Sequence, residues 1–196
     1  MNGLCKNKIF MNLICNNCVG GRLYQLLNVS YNNPFIWARI YYSSFRKIIL
    51  DFNKINFYKY SFRNKNGISQ IVIENCIELN YTHYIYDKNY NNATQIENTL
   101  DIRCNDIKKY TIDKYTARLK RMNKKDKTIF ILIDHENLKL TDKDINDFLN
   151  LKTSFDRICV TGRTHIKSNN VPILYTNEYN TSKIAELILK NNMIKL

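Results

Sequence analysis

The stretch from Ile9 to Trp37, IFMNLICNNCVGGRLYQLLNVSYNNPFIW, decides how the rest of the chain is read. It opens on a short apolar run, Ile9-Phe10-Met11-Asn12-Leu13-Ile14, of a length that suits a buried strand. Asn16 and Asn17 break the run, and Cys18 stands where a helix begins. After Gly20 and Gly21, the residues Leu23, Tyr24, Leu26 and Leu27 recur at helical spacing and mark one face of that helix. A strand, a tight polar turn and a helix in that order present a nucleophile or an anion site. The helix N-terminus carries unpaired N–H groups and partial positive charge, which stabilise a thiolate or a bound anion. Cys18 is the candidate nucleophile. Asn16, Asn17, Gly20 and Gly21 are candidate substrate contacts, the glycines because they let a substrate carbonyl approach the backbone.

Outward from this stretch, strands and helices alternate. Thr128-Ile129-Phe130-Ile131-Leu132-Ile133 is a continuous apolar run, the pattern of a central parallel strand covered on both faces. Arg157 to Val160 reads as another strand, and Val171 to Tyr175 as one more, kept near an edge by Pro172. Ser43 or Ser44 is expected to cap a helix carrying Phe45, Ile48, Ile49 and Phe52; Thr141 caps one carrying Ile145, Phe148 and Leu149. Ile112, Tyr115, Leu119 and Met122 share a helical face, and Ser182 starts a last helix. Ser69 to Tyr86 reads as a β-hairpin, and Asp87 to Thr99 as an Asn-rich loop. The expected fold is a single α/β domain over residues 1–196 with a flexible start at 1–8. A mostly parallel central sheet is flanked by helices and joined by a small antiparallel hairpin element. Ligands bind beyond the carboxyl ends of such strands, where both the turn at Asn16 to Gly21 and Asp134 fall.

Composition narrows the function classes. With 44% hydrophobic residues, the 196-residue chain has material for a core, and its two prolines and five glycines exclude collagen-like or linker character. The net charge of +13 invites a nucleic-acid reading. The chain is also crowded with Asn, Lys, Ile and Tyr, whose codons are rich in A and T, and no binding motif accompanies the charge, so no specific nucleic-acid partner is expected. The six cysteines are scattered, and no segment reads as a leader or a membrane span. Free thiols in a reducing, cytoplasmic setting are the simplest reading.

Several constellations carry chemistry. Cys15-Asn16-Asn17-Cys18 has C-x-x-C spacing, that of a thiol–disulfide redox pair. A zinc site needs two further ligands, which no second C-x-x-C or close His pair supplies, so neither metal nor cofactor is expected. A cysteine nucleophile needs a histidine base, and His83, at a strand end between aromatics, is the candidate; His135 and His165 sit in polar loops. Asp134 could orient a histidine, or bind a cation or sugar hydroxyl, though a turn aspartate is the commoner role. Arg118, Lys120, Arg121, Lys124, Lys125 and Lys127 form the densest basic cluster, with Arg118 and Arg121 as candidate phosphate ligands. More often such a cluster is the solvated side of a helix.

Asn16-Asn17-Cys18-Val19-Gly20-Gly21, then Tyr24-Gln25, then Tyr31-Asn32-Asn33-Pro34-Phe35 together resemble the opening signature of an uncharacterised bacterial family labelled exopolysaccharide biosynthesis protein. His83-Tyr84, Lys114 to Asp134 and Phe155 to Thr161 resemble its later blocks. The same layout is similar to a neighbouring family of papain-like cysteine peptidases. Val19 stands where the first family has Trp, Cys15 where it has Ser, and His135-Glu136-Asn137 where it has an acidic-Gly turn. The resemblance implies a glycan, nucleotide-sugar or phosphorylated small-molecule partner. It also implies a cysteine-dependent transferase or hydrolase in which Cys18 attacks and His83 is the base. The alternatives are a non-catalytic sugar- or phosphate-binding accessory protein and a thiol–disulfide redox protein. Catalysis predicts a partly exposed Cys18 of lowered pKa with His83 beside it.

Overall fold

The run Thr128 to Ile133 is apolar at every position except its first because it faces two cores at once. It lies in strand β5 (Lys127–Ile133), which pairs in parallel with β1 (Met11–Cys15) on one side and with β6 (Asp156–Thr161) on the other. Ile129, Ile131 and Ile133 point into one cluster, with Leu23 and Tyr24 of helix α1 (Val19–Leu26). Phe130 and Leu132 point into the other, with Phe45 and Phe148. Alternate side chains on opposite faces of a pleated strand require this division. The short strand β7 (Ile173–Tyr175) completes a parallel sheet in the order β1-β5-β6-β7, the expected architecture, with the Pro172 segment at its far edge.

The computed structural model describes residues 11–65, 68–81, 100–135 and 138–194, with side chains from 108 onward in the third segment. The expected start at 1–8, the whole of the expected loop at 87–99, and His83 all lie outside the described residues.

Helix α1 packs on one face of the sheet with α5 (Thr181–Lys190), whose Ile184, Ala185 and Ile188 are buried there. The other face holds α2 (Tyr42–Asp51), part of α3 (Leu100–Leu119), α4 (Asp142–Asn150) and a second sheet. That sheet is larger than the expected hairpin. It is an antiparallel meander of β2 (Tyr60–Lys65), β3 (Ile68–Ile73) and β4 (Ile77–Tyr81). Three residues, Glu74 to Cys76, join β3 to β4, with Glu74 and Asn75 both at positive φ (48° and 61°) and Cys76 N–H donating to the Ile73 carbonyl. Such turns match the twist of a hairpin.

The helix starts follow local chemistry with one correction. Thr141 and Asp144 form a reciprocal capping box at α4, and Asn180 accepts from the Ser182 and Lys183 N–H groups at α5, which begins at Thr181, one residue before the expected Ser182. The expected serine cap of α2 is absent: Tyr41 holds the cap position, and Ser44 is buried inside the helix, where its hydroxyl accepts from Glu78 N–H at 3.1 Å. Packing of α2 on β4 took the hydroxyl that local propensity assigns to the helix end.

β1 lies at a sheet edge, yet its outer backbone is covered. Tyr24 Oη accepts from Leu13 N–H, Asn33 Nδ2 donates to the Leu13 carbonyl, and Asn32 Nδ2 donates to the Met11 carbonyl. Three side chains thus stand in for a missing neighbour strand, and an edge that would otherwise template aggregation is closed.

Candidate functional site

The turn after β1 carries the candidate residues, and most of their polar capacity is used internally. Asn16 is fully buried; its Nδ2 donates to the Ile133 carbonyl at 3.0 Å and its Oδ1 accepts from Ile133 N–H at 2.8 Å. The side chain therefore extends the β1–β5 ladder past the end of the strand. Asn17 Oδ1 accepts from Val19 N–H at 3.0 Å, capping the start of α1. Gly20 lies against Cys15, whose Sγ would be 3.2 Å from an added Cβ, and a Cβ on Gly21 would enter the Trp37 indole. The room left by the two glycines is filled by Cys15 and Trp37. Asn16, Asn17, Gly20 and Gly21, the expected substrate contacts, thus each have a structural role within the fold: Asn16 extends the ladder, Asn17 Oδ1 caps α1, and the glycines admit Cys15 and Trp37.

Cys18 stands at the start of α1, partly exposed, as expected, and Cys15, Cys18, Cys76 and Cys159 are reduced thiols. Its electrostatics differ from the expectation. Burial raises its pKa from 9.0 to about 11, with the Arg39 and Arg22 guanidiniums pulling in the opposite direction. Desolvation penalises the thiolate more than two arginines and a short helix favour it. At neutral pH the side chain is a thiol.

Those two arginines were not singled out by the sequence. Arg22 lies one helical turn after Cys18, a spacing that would have flagged it; Arg39 comes from the loop beyond Trp37, and no local signal could. Arg22 stacks over the Trp37 ring at 5.3 Å and donates through Nη1 to Gln25, while its buried Nε has no hydrogen-bond partner. Among the described residues no carboxylate pairs with either arginine. Trp37 sits at φ 66°, a left-handed conformation rare for a bulky residue, with Tyr31 edge-on to its ring at 6.4 Å. The Trp37 ring covered by Arg22 and the orphaned Arg22 Nε thus lie at the start of α1, where the Arg22 and Arg39 charges both act on the Cys18 thiol.

A backbone bridge fixes the other wall. Arg39 and Asn80 exchange N–H···O bonds of 2.8 and 3.0 Å, and Ile40 N–H donates to the Asn16 carbonyl at 2.9 Å. The end of β4 is thereby tied to the turn that carries Cys18. His83 follows β4 by two residues and lies outside the described residues.

The remaining candidates lie in different surroundings. Asp134, just past β5, accepts from Thr161 Oγ1 at 2.7 Å and from Arg163 Nε at 2.9 Å; the partner it orients is an arginine rather than a histidine. Arg163 in turn donates to Asp142 and to the Leu140 carbonyl, and His165 Nε2 lies 2.9 Å from Asp142. Arg118, a candidate phosphate ligand, is buried, 5% exposed, and donates to the Ile36 carbonyl at 2.7 Å beneath the Tyr31 ring. Arg121 Nε donates to the Tyr31 carbonyl at 2.7 Å. Both hold the loop that carries Trp37. Among the described residues no group of three or more His, Cys, Asp or Glu could hold a metal, and no helix is long and apolar enough to cross a membrane.

Fold and site together define a class: an α/β protein with a four-stranded parallel sheet and an arginine-flanked thiol at the carboxyl end of its first strand. No protein-family model matches the chain, and a search of curated proteins finds no match.

Proposed function

We propose that the protein serves surface-glycan biosynthesis of the exopolysaccharide type by binding a phosphorylated sugar, such as a nucleotide-sugar, at the turn after β1. The observation that carries this reading is that Arg22 and Arg39, neither paired with a carboxylate among the described residues, both act on Cys18. Guanidinium forks recognise phosphate oxygens in bidentate geometry, and strand carboxyl ends are where α/β sheets take ligands. The Asn-Asn-Cys-x-Gly-Gly and Tyr-Asn-Asn-Pro-Phe blocks, similar to those of the exopolysaccharide family, support the pathway. The neutral thiol acts as a hydrogen-bond donor in this reading.

Trp37, the single tryptophan of the chain, reports on the site because Arg22 stacks on it. Titration with UDP-glucose or glucose 1-phosphate changes its fluorescence saturably, and unphosphorylated glucose does not. Arg39→Ala weakens the phosphorylated ligands at least about tenfold, the loss expected for a charged hydrogen bond; Cys18→Ser leaves them bound. Equal binding by Arg39→Ala and wild type would reject the assignment.

A second reading, a cysteine-dependent transferase or hydrolase, is supported by the Arg39–Asn80 bridge, which ties the strand preceding His83 to the Cys18 turn. Here His83 takes the Cys18 proton as Sγ attacks the acyl or glycosyl carbon, the bond to the leaving group breaks and the leaving group takes that proton from His83, and water or an acceptor hydroxyl then displaces Sγ, which regains a proton. Cys18→Ser then abolishes turnover of an acyl- or glycosyl-donor substrate while sparing binding. A variant that binds and turns over like wild type excludes catalysis by Cys18.

A further inference from the structure

At the opposite end of the parallel sheet a cleft of about 400 Å³ opens between the first residues of β5 and β6 and the segment leading into β7. We propose that this cleft binds a neutral sugar. Its volume falls within the range of small-molecule sites, roughly 300–1,000 Å³.

The lining separates into a hydroxyl-recognising side and an apolar side. Asp156 and Lys127 form an ion pair at 3.3 Å at the cleft, with side chains 62% and 48% exposed, so both still present hydrogen-bonding atoms outward. The Ser154 hydroxyl and the Asn170 amide, also in the lining, have no hydrogen-bond partners among the described residues. A carboxylate, an ammonium, an amide and a hydroxyl provide the alternation of acceptors and donors that vicinal sugar hydroxyls need, since each hydroxyl both gives and takes a hydrogen bond. Phe155 and Pro172 supply the apolar wall for the C–H face of a sugar ring. The Phe155 ring is held edge-on by Phe52 and Phe130, at centroid distances of 5.5 and 5.3 Å, so the wall is rigid before a ligand arrives.

Charge selects the class. The lining contains Lys127 and Arg157 against Asp156, but Lys127 is already neutralised by Asp156. Arg157 turns its guanidinium to the Phe148 carbonyl and ring. No uncommitted cation remains in the lining for a phosphate, in contrast to Arg22 and Arg39 at the other end of the sheet. The inference does not rest on the phosphorylated-sugar reading, and each can fail alone.

The test is a titration of the full chain with glucose and with N-acetylglucosamine, followed by two-dimensional amide NMR. The expected result is weak, saturable shifts confined to residues 153–158 and 170–173, with Trp37 fluorescence unchanged. Asn170→Ala and Asp156→Asn each weaken the binding about fivefold, the worth of one hydrogen bond, without moving the melting temperature. Absence of saturable shifts with both sugars overturns the proposal. So do shifts that map to the Cys18 end, equal binding by both variants, or tighter binding of glucose 6-phosphate at the cleft than of glucose.

Discussion

Two groups of arginines lie beyond the carboxyl ends of the parallel strands, and they are built in opposite ways. Arg163 is closed: Asp134, Asp142 and the Leu140 carbonyl take its donors, and His165 adds to the same network through Asp142. Arg22 and Arg39 are open, with the buried Arg22 Nε unpartnered and, among the described residues, no carboxylate on either. Burying part of a guanidinium without a counter-ion costs stability, so a fold selected for stability alone would pair it. The closed group ties the ends of β5 and β6 to the start of α4. The open group beside Cys18 keeps hydrogen-bonding capacity that no described carboxylate takes up.

The contrast predicts where substitutions cost stability and where they cost binding. The largest stability effect belongs to Asn16→Ala, which orphans the buried Ile133 N–H and carbonyl at once. At about 1–3 kcal/mol for each unsatisfied group, the loss is about 2–5 kcal/mol. The melting temperature, followed by circular dichroism, falls by roughly 5–15 °C for a chain of this size. A drop of a degree or less would mean that water replaces the amide.

Next comes Arg163→Met. Asp134, whose side chain is 11% exposed, loses its guanidinium partner, at a cost of about 1–3 kcal/mol. The pKa of Asp142, held low by hydrogen bonds from His165 and Arg163, moves up toward the ordinary carboxylate range. A group of depressed folded pKa contributes stability above its unfolded value and loses it as pH falls, so wild type loses more stability on acidification than Arg163→Met. Parallel acid-unfolding curves for the two proteins would show the closed group to be inert.

Arg39→Ala is the mirror experiment. Its side chain makes no hydrogen bond or ion pair among the described residues, so chemical denaturation shifts by no more than about 0.5 kcal/mol while the proposed phosphorylated-sugar binding is lost. Substantial destabilisation here would erase the distinction between the open and closed groups.

The smallest effect at neutral pH concerns Cys18 itself. With a folded pKa near 11 against 9.0 for an ordinary thiol, the unfolded chain releases its proton first as pH rises. This contribution to stability is complete below about pH 9 and is lost as pH climbs through about 11. Wild type therefore destabilises more steeply than Cys18→Ala over that interval. Iodoacetamide labelling of Cys18 accelerates up to about pH 11. A plateau near pH 7 would restore the activated-thiolate reading.

The sheet was legible from sequence because its signals are local: an apolar run at Thr128 to Ile133, a strand–turn–helix at Met11 to Leu26, a Thr-x-x-Asp box at α4. Such signals arise from the pleat, the helical turn and the cap, which operate within a few residues. The same locality explains what the sequence left unread. Asn16, Asn17, Gly20 and Gly21 have the composition of a ligand-binding turn, yet their partners are Ile133, Val19, Cys15 and Trp37, three of them reached only through tertiary contacts or neighbouring secondary structure. Arg118 reads as a solvated helix residue until the Ile36 carbonyl and the Tyr31 ring close over it.

Sequence by itself determined the strand, the turn and the presence of a thiol at the start of α1. Only the tertiary structure decided that this thiol is protonated and which charges surround it. Desolvation depends on every atom packed near a group, and Arg39 reaches Cys18 only because its backbone bonds to Asn80, 41 positions later. Burial and long-range charge have no period along the chain for a sequence pattern to express.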